Sequence, residues 1–356
     1  MTDQSSGDRY AQVRRTIAEH PRSWLVTGAA GFIGSNLVEE LLSLGQTVVG
    51  LDDLSSGSEA NLDDAISRTS GTSGNFRFIE GDIRDLSTCR TACASADYVL
   101  HHAALASVPG SIADPLLNSQ VNVEGFLNIL VGARDAGVRR VVYASSSAVY
   151  GDTTNIPQVE SVVGQLLSPY AASKAANELY ATAFERAYGM STVGLRYFNV
   201  FGQRQDPNGA YAAVIPRWVA NLLDNTSCEI FGDGETTRDF LYVADVVQAN
   251  VLAATVDASF AGGAFNVACG TETSLNALFV MIRDELARLQ PSIAESEPTF
   301  AAARVGDIRR SLADIGKARR QLGFAPRHKP ADGLREAIAW YVSRSGTFAE
   351  ALPDDS

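Results

Sequence analysis

The sequence is short of several features that define common classes of protein. Only 4 of its 356 residues are cysteine and none form a C-x-x-C pair, so neither a disulfide framework nor a metal centre is expected. No stretch has the roughly 18 consecutive apolar residues that a membrane span requires. Basic residues number 29 against 41 acidic ones, and the net charge of −12 argues against binding nucleic acid.

Length and composition indicate a globular protein of more than one lobe. The hydrophobic content of 46% and the charged content of 20% are typical of globular chains. The N-terminal segment is polar and lacks the apolar part of a signal peptide, so we expect a cytoplasmic protein. Because 356 residues exceed one typical domain, we predict a large domain plus a smaller lobe.

Short apolar runs alternate with helix-like segments over much of the chain. We predict strands at 24–26, 47–51, 76–80, 98–101, 141–144, 192–197 and 263–267. We predict helices at 9–19, 36–44, 86–94, 117–136, 170–188, 214–223, 245–255 and 275–289. This alternation predicts an α/β fold, a Rossmann-type doubly wound parallel sheet with a smaller C-terminal lobe.

A glycine-rich turn follows the first predicted strand. Gly28, Gly31 and Gly34 are spaced G-x-x-G-x-x-G, where the missing Cβ atoms let backbone N–H groups approach a pyrophosphate. Asp52 ends the second strand, about 20 residues further on, where a carboxylate binds a ribose and repels a 2′-phosphate. This context predicts a site for NAD rather than NADP. The alternative for Asp52 is a solvated loop carboxylate.

A second motif begins at Ser168 and Pro169, a pair that is typical of a helix start. Tyr170 and Lys174 then lie one helical turn apart and share a face of the helix. A phenol with a pKa of about 10 is a poor base at neutral pH, but a neighbouring ammonium favours the phenolate. The pair is therefore a candidate acid/base centre, although on many helices such a pair is simply two neighbours.

Together these motifs resemble those of the extended short-chain dehydrogenase/reductase family over nearly the whole chain. Further similar stretches are GDIR (81–84), HAA (102–104), NVEG (122–125) and SSSAVYG (145–151). The resemblance implies that Ser146, or alternatively Ser147, acts with Tyr170 and Lys174 in catalysis. It implies contacts with NAD from Gly28, Gly31, Phe32, Ile33, Gly34, Asp52, Asp82, Ile83, Ala103, Asn122, Tyr170, Lys174 and Phe198.

Within that family the chain is most similar to the sugar-nucleotide 4-epimerases, in particular the UDP-N-acetylglucosamine 4-epimerases of bacterial polysaccharide pathways. The similar segments are RYFNVFG (196–202), QDPNGAYAAVIP (205–216) and GDGETTRDF (232–240). The likeness implies contacts with a UDP-sugar from Ser107, Ser146, Ser147, Tyr170, Asn199, Val214, Arg217, Arg238, Arg304, Asp307 and Ser311.

This likeness also implies a reaction. Tyr170 would take the proton of the sugar 4-hydroxyl while the C4 hydride passes to NAD, and hydride would return to the opposite face of the 4-keto sugar. Lys174 would lower the pKa of Tyr170. Arg238 and Arg304 would bind the diphosphate, although Arg238 could instead form a surface ion pair. The small Ser311 would admit an N-acetyl group without selecting it.

Other functions fit the same fold. A 4,6-dehydratase or a UDP-glucuronate decarboxylase usually carries carboxylates after the catalytic serine, where this chain has Ser147 and Ala148. A UDP-glucuronate or UDP-N-acetylglucosaminuronate 4-epimerase is the nearest rival, because its hydride chemistry is the same. A non-catalytic NAD-binding scaffold would be expected to have lost Tyr170, Lys174 or the serine.

We also expect a division of the chain and an assembly. The expected parts are an N-terminal extension (1–22), an NAD-binding Rossmann domain (23–199, with 245–268 returning to it), a substrate-binding lobe (200–244 and 269–344) and a tail (345–356). Related enzymes pair two helices with those of a second copy, so a homodimer is expected through 117–136 and 170–188.

Overall fold

The computed structural model describes residues 6–207, 213–257, 260, 262–303 and 308–344. The strands are β1 (Ser23–Thr27), β2 (Thr47–Asp52), β3 (Asn75–Glu80), β4 (Tyr98–His101), β5 (Arg140–Ser146), β6 (Thr192–Tyr197), β7 (Val200–Phe201), β8 (Glu229–Phe231), β9 (Thr237–Arg238), β10 (Leu241–Tyr242), β11 (Gly263–Val267), β12 (Thr273–Ser274) and β13 (Thr299–Ala301). The helices are α1 (Ser6–Glu19), α2 (Phe32–Ser43), α3 (Glu59–Arg68), α4 (Leu86–Cys93), α5 (Val108–Ala113), α6 (Pro115–Ser119), α7 (Gly125–Ala136), α8 (Pro169–Tyr188), α9 (Val214–Leu223), α10 (Val243–Thr255), α11 (Leu275–Ala287), α12 (Gly316–Leu322) and α13 (Pro330–Arg344).

Seven parallel strands form the central sheet, in the order β3-β2-β1-β4-β5-β6-β11. The register pairs Val26 of β1 with Gly50 of β2 on one side and with Leu100 of β4 on the other. Trp24, Leu25 and Val26 are fully buried, because helices cover both faces of a parallel sheet. The strand order reverses between β1 and β4, and the predicted Rossmann-type α/β fold is confirmed.

Two helical layers enclose the sheet. On one face, α1, α2 and α10 contribute buried residues to a core that includes Tyr10, Leu37 and Val251. On the other face, α4, α7 and α8 contribute Cys89, Leu130 and further residues. The carboxyl ends of the strands are therefore left as the open edge, where a doubly wound fold binds its ligands.

A second apolar core joins α9, α11 and α13. Trp218 of α9 and Phe279 of α11 meet edge to face, with 5.9 Å between their ring centroids. Ile338 of α13 packs into the same core. β11 pairs with β6, so the segment after α10 lies in the central sheet. The limits given above for the two lobes stay a prediction.

The predicted helix at 117–136 is interrupted in the structure. Pro115 starts α6, a π turn follows at Gln120–Glu124, and α7 begins only at Gly125. Helices α3, α5, α12 and α13 were not predicted. The predicted tail (345–356) lies outside the described residues. Within the described ranges, no helix has the length and apolar character needed to cross a membrane.

Candidate active site

A cavity of about 690 Å³ opens at the carboxyl ends of the central strands. Loops that follow β1 to β6 all contribute to its wall. In doubly wound folds this edge holds the ligand, at the point where the strand order reverses. The cavity therefore lies where the fold itself predicts a dinucleotide site.

The cavity brings together most of the residues that the sequence assigned to the two ligands. These wall residues are Gly28, Gly31, Phe32, Ile33, Gly34, Asp52, Ile83, Ala103, Ser146, Ser147, Tyr170, Lys174, Phe198, Asn199, Arg238 and Ser311. Described residues that were predicted for the site but lie off this wall are Asp82, Asn122, Ser107, Val214 and Arg217. Arg304 and Asp307 lie outside the described residues.

The glycine loop after β1 leaves no room for side chains. Gly28 has a φ of +67°, and a Cβ there would lie 2.7 Å from the amide nitrogen of Ala103. A Cβ on Gly34 would lie 1.9 Å from the carbonyl oxygen of Gly28. Helix α2 begins at Phe32, so its N-terminal end borders the cavity. Exposed backbone N–H groups at a helix N-terminus are suited to a phosphate group.

Asp52 holds the glycine loop from the end of β2. Its Oδ2 accepts the backbone N–H of Ala30 at 2.9 Å, and its Oδ1 accepts that of Leu54 at 2.9 Å. Burial raises the pKa of Asp52, although these hydrogen bonds oppose the rise. Asp52 is buried and still borders the cavity. The alternative of a solvated loop carboxylate is therefore wrong.

Asn122 and Asp82 support neighbours that line the wall. The Nδ2 of Asn122 donates to the carbonyl oxygen of Leu105 at 3.0 Å, and its Oδ1 accepts the Leu105 N–H at 2.8 Å. Asp82 binds the Arg84 guanidinium at 2.7 Å beside the wall residue Ile83. The sequence assigned Asn122 and Asp82 to direct contact with the cofactor, whereas their side chains are bound to these protein groups.

Two other predicted contacts are likewise used within the protein. The Oγ of Ser107 caps α5 by accepting the Gly110 N–H at 2.9 Å, and its neighbours Ala106 and Val108 line the wall instead. Val214 begins α9 and packs against the second apolar core. A capping serine and a core valine are explained by local structure alone.

Tyr170 and Ser146 form the polar centre of the cavity. Ser168 caps α8 as predicted, with its Oγ accepting the Ala171 N–H at 3.1 Å, which sets Tyr170 in the first turn. The hydroxyl of Tyr170 lies near the side chain of Ser146, which lowers the pKa of the tyrosine against the effect of burial. Ser146 and Ser147 both line the wall, so the choice of Ser146 over Ser147 as the catalytic serine stays a prediction.

Lys174 is buried below the tyrosine. Its Nζ donates to the carbonyl oxygen of Ala144 at 2.9 Å and lies 5.9 Å from the centre of the Tyr170 ring. Burial lowers the pKa of Lys174 to about 8, so the ammonium is still mostly charged at pH 7. Burial also raises the pKa of Tyr170, and the neighbouring side chain of Ser146 opposes the rise. Among the described residues Lys174 does not contribute to this shift, so the expected lowering of the Tyr170 pKa by Lys174 is not seen in the protein alone.

Arg238 supplies a cation to the wall from β9. Its Nη1 donates to the carbonyl oxygens of Thr237 at 2.9 Å and Ile308 at 2.6 Å. The carboxylate of Asp239 is fully buried and accepts backbone N–H groups, among them that of Cys269 at 2.8 Å. Burial raises the pKa of Asp239 to about 7. Because that carboxylate is engaged in the interior, Asp239 does not offer Arg238 a surface ion pair, and the other alternative, a pair with Glu235, stays open.

Ser311 lies in the wall on a segment that runs beside β9. Its N–H donates to the carbonyl oxygen of Thr237 at 3.2 Å. The preceding Arg310 holds Glu272 through two hydrogen bonds of 3.0 and 2.7 Å. The segment is thus tied down on the solvent side, and the small hydroxymethyl group of Ser311 borders the cavity.

Sequence reasoning missed part of the wall. Residues that line the cavity without having been assigned to the site include Asp53, Ser55, Ser56, Leu105, Val121, Gln158, Tyr197, Gln205 and Ile308. Tyr197 ends β6, and its hydroxyl lies 2.9 Å from the Nε2 of His102. Burial lowers the pKa of His102 to about 3, so this histidine is neutral. Tyr197 could have been predicted for the site because it ends a strand of the sheet. Gln158 lies in a loop, and nothing in its local sequence indicates a place in the cavity wall.

The wall fits a nicotinamide dinucleotide. The glycine loop is a cradle that any Cβ at Gly28 or Gly34 would fill, and the buried Asp52 ends the neighbouring strand. When bound, NAD supplies a group that accepts and returns a hydride. Gly28, Gly31 and Gly34 would hold its pyrophosphate and Asp52 its adenosine ribose.

Comparison with known proteins gives a consistent result. Residues 24–268 match the family described as the NAD dependent epimerase/dehydratase family. The UDP-glucose 4-epimerase of Mycolicibacterium smegmatis is 40% identical, over 90% of this chain and 99% of that protein. The solved UDP-N-acetylglucosamine 4-epimerase of Methanobrevibacter ruminantium, in complex with UDP-N-acetylmuramic acid, is 40% identical with a TM-score of 0.83, over 91% of this chain and 99% of that one.

A structure solved with the cofactor is also similar. The UDP-glucose 4-epimerase of Thermus thermophilus in complex with NAD is 33% identical with a TM-score of 0.77, over 91% of this chain and 99% of that one. Sequence, fold and the geometry of the cavity therefore agree. The chain belongs to the NAD-dependent epimerase/dehydratase family.

Proposed function

We propose that the protein is an NAD-dependent 4-epimerase that interconverts UDP-N-acetylglucosamine and UDP-N-acetylgalactosamine, and also UDP-glucose and UDP-galactose. The observation that carries this proposal is the proximity of the pair Tyr170 and Ser146 in the cavity wall. That pair shares one cavity with the glycine cradle and with the cation of Arg238. A base, a hydride-acceptor site and a phosphate-binding group are the parts that this reaction requires.

Tyr170 is the acid/base group in this proposal. Its phenolate takes the proton of the sugar 4-hydroxyl, while Ser146 binds the same oxygen. Burial raises the pKa of Tyr170 in the protein alone, so in this proposal the positive charges of Lys174, one turn along α8, and of the nicotinamide when bound would together favour the phenolate. When the 4-keto sugar has turned over, Tyr170 returns the proton to the same oxygen. The proton is conserved through the cycle, and no net redox change results.

The nucleotide half of the substrate needs cations in an acidic chain. The guanidinium of Arg238 and the amide of Asn199 both line the cavity and are assigned to the diphosphate. Asn199 is fixed by its Nδ2, which donates to the carbonyl oxygen of Asp239 at 3.1 Å. Arg304 is proposed as a second cation on the diphosphate, and Asp307 as the partner of the uridine ribose, from the resemblance alone.

The choice of sugar is proposed from the size of Ser311. A serine in the wall leaves room for an acetamido group at C2 and also accepts a hydroxyl there. The two relatives at 40% identity are named for UDP-glucose and for UDP-N-acetylglucosamine, which supports activity on both sugars. UDP-glucuronate is the competing substrate, because its epimerisation needs the same Tyr170 and Ser146.

The test is to incubate the purified protein separately with UDP-N-acetylglucosamine, UDP-glucose and UDP-glucuronate, without added cofactor, and to separate the products by chromatography. We expect the galacto epimers of the first two sugars to form. Conversion of UDP-glucuronate alone would support the uronate epimerase instead. Conversion of none, even with NAD added, would refute a 4-epimerase of UDP-sugars while leaving the fold assignment intact.

We further propose that the enzyme is a homodimer. Large apolar side chains are exposed on adjoining helices α5, α6 and α8, namely Ile112 (62% exposed), Leu116 (76%) and Leu179 (73%). Exposed apolar side chains on helices that contact one another are candidates for an interface. A second copy of the chain, related by a two-fold axis, would cover it through the same helices.

A further inference from the structure

Gln158 is a buried amide in the cavity wall. It lies in the long loop between β5 and α8, is only 3% exposed, and borders the same cavity as Ser147 and Ser311. Within the part of the chain that the structure describes, its Oε1 is buried and accepts no hydrogen bond. A glutamine side chain is mostly found at the surface, so this placement requires an explanation.

The backbone of Gln158 is held on both sides. Its N–H donates to the carbonyl oxygen of Leu312 at 2.7 Å. Its own carbonyl oxygen accepts the Nδ2 of Asn266 at 2.9 Å and the N–H of Asp314 at 2.9 Å. These bonds fix the main chain next to Ser311, and they involve no atom of the side chain. The carboxamide is thus positioned by a rigid frame and contributes nothing to that frame.

A buried polar atom without a partner is costly, and native proteins retain few of them. The cost is recovered when the carboxamide rotates about its last side-chain bond and a ligand in the cavity supplies the missing hydrogen bond. We propose that Gln158 is a substrate-binding residue whose carboxamide hydrogen-bonds the sugar of the UDP-sugar, and that this contact contributes to the choice of sugar. The inference rests on the proposed function, because it takes the sugar to lie between Tyr170 and the wall at Ser311.

The chemistry of the side chain defines what it recognises. A carboxamide offers one acceptor oxygen and one donor nitrogen and carries no charge. It therefore suits a sugar substituent that both donates and accepts hydrogen bonds, either a hydroxyl or an acetamido group. A site built to hydrogen-bond a substrate group discriminates against an analogue without that group.

The test replaces the amide by a side chain of similar shape, Gln158→Met, in the full-length enzyme. We expect kcat/KM for the preferred UDP-sugar to fall about 3- to 10-fold, the effect of one neutral hydrogen bond. The affinity for UDP, which lacks the hexose of the substrate, should be unchanged in calorimetry. The melting temperature should be unchanged or higher, because an apolar group replaces an unpartnered polar one.

A matched control is Gln165→Met, in the same loop but exposed to solvent, which should alter none of these quantities. If Gln158→Met lowers the melting temperature, the same measurements are made on a second variant, Gln158→Leu. A substituted enzyme that keeps the wild-type kcat/KM on every sugar would overturn the inference, as would an equal loss of affinity for UDP. A wild-type enzyme that epimerises no UDP-sugar would instead refute the proposed function.

Discussion

The assignment of the glycine loop to the pyrophosphate of NAD can be tested with the variant Gly34→Ala, which adds a single methyl group. The added Cβ would lie 1.9 Å from the carbonyl oxygen of Gly28, whereas ordinary contacts lie at about 3.5 Å. The two groups must therefore separate by about 1.5 Å. The N–H of Gly28 donates to the carbonyl oxygen of Leu51 at 2.8 Å, and the N–H of Gly31 donates to the carbonyl oxygen of Gly28 at 3.1 Å. A movement of that size would break these hydrogen bonds of the loop.

The cost of this change follows from the geometry. Overpacking a rigid site costs about 1–3 kcal/mol of folding free energy. Displacing the loop by more than 1 Å also removes its N–H groups from the pyrophosphate, for which we expect a loss of NAD affinity of about 10²-fold. The assay releases the cofactor from purified protein by acid and measures the NAD content per chain. The melting temperature is measured in parallel.

The control for Gly34→Ala is Gly137→Ala. Gly137 has a φ of +68°, no atom lies within 4 Å of the position that a Cβ would take there, and the residue lies off the cavity wall. Backbone strain there should lower the melting temperature by an amount that corresponds to about 1–2 kcal/mol. The NAD content should be that of the wild type. If Gly34→Ala retains NAD as Gly137→Ala does, the assignment of the loop as a phosphate cradle is wrong.

Three further predictions address the reaction and the assembly. Tyr170→Phe should keep its NAD and lose about 10²- to 10⁴-fold in kcat, the usual contribution of a positioned acid/base group; near-normal turnover would remove Tyr170 from the mechanism. Ser311→Tyr should lower kcat/KM for UDP-N-acetylglucosamine more than for UDP-glucose, and an equal effect on both sugars would refute the size argument. Leu179→Lys should convert a dimer into a monomer in sedimentation velocity, whereas an unchanged sedimentation coefficient would place the interface elsewhere.

The strands of the sheet were predictable because their chemistry is local. β4 and β6 have the predicted bounds, and β1 is extended by one residue at each end. A strand that is covered on both faces is rich in apolar residues, and Gly28 directly follows β1. The start of α8 was equally clear, because Ser168 and Pro169 are local signals for a helix N-terminus.

The helices that were missed lack such signals. α3 has the sequence EANLDDAISR, with few apolar residues, and is stabilised in part by the cap at Ser58. The predicted helix at 117–136 is apolar enough to be read as one element, yet it contains the π turn at Gln120–Glu124. Asn122 lies in that turn, and its amide is bound to Leu105 and to Ser173. These are tertiary contacts, which a local pattern does not contain.

The site was predictable where a single motif contains the functional side chains and also the local signals that fix their place in the fold. The glycine loop and the motif around Tyr170 are of this kind, and both line the cavity. Asn122 and Ser107 belong to similar motifs, but hydrogen bonds within the protein use their side chains. Gln158 is brought to the wall by bonds to Leu312 and Asp314, which lie far away in the sequence. Such a contact depends on the tertiary packing of segments that are distant in the sequence.

The most direct test of the central claim is proton NMR of UDP-N-acetylglucosamine with the enzyme in D₂O. If Tyr170 moves only the hydroxyl proton and the C4 hydrogen passes as a hydride held on the enzyme, the UDP-N-acetylgalactosamine formed keeps a full proton signal at C4. No other product should accumulate. Loss of the C4 signal through deuterium incorporation would contradict hydride transfer and return. A protein that leaves UDP-N-acetylglucosamine unchanged, even with NAD added, would contradict the assigned substrate.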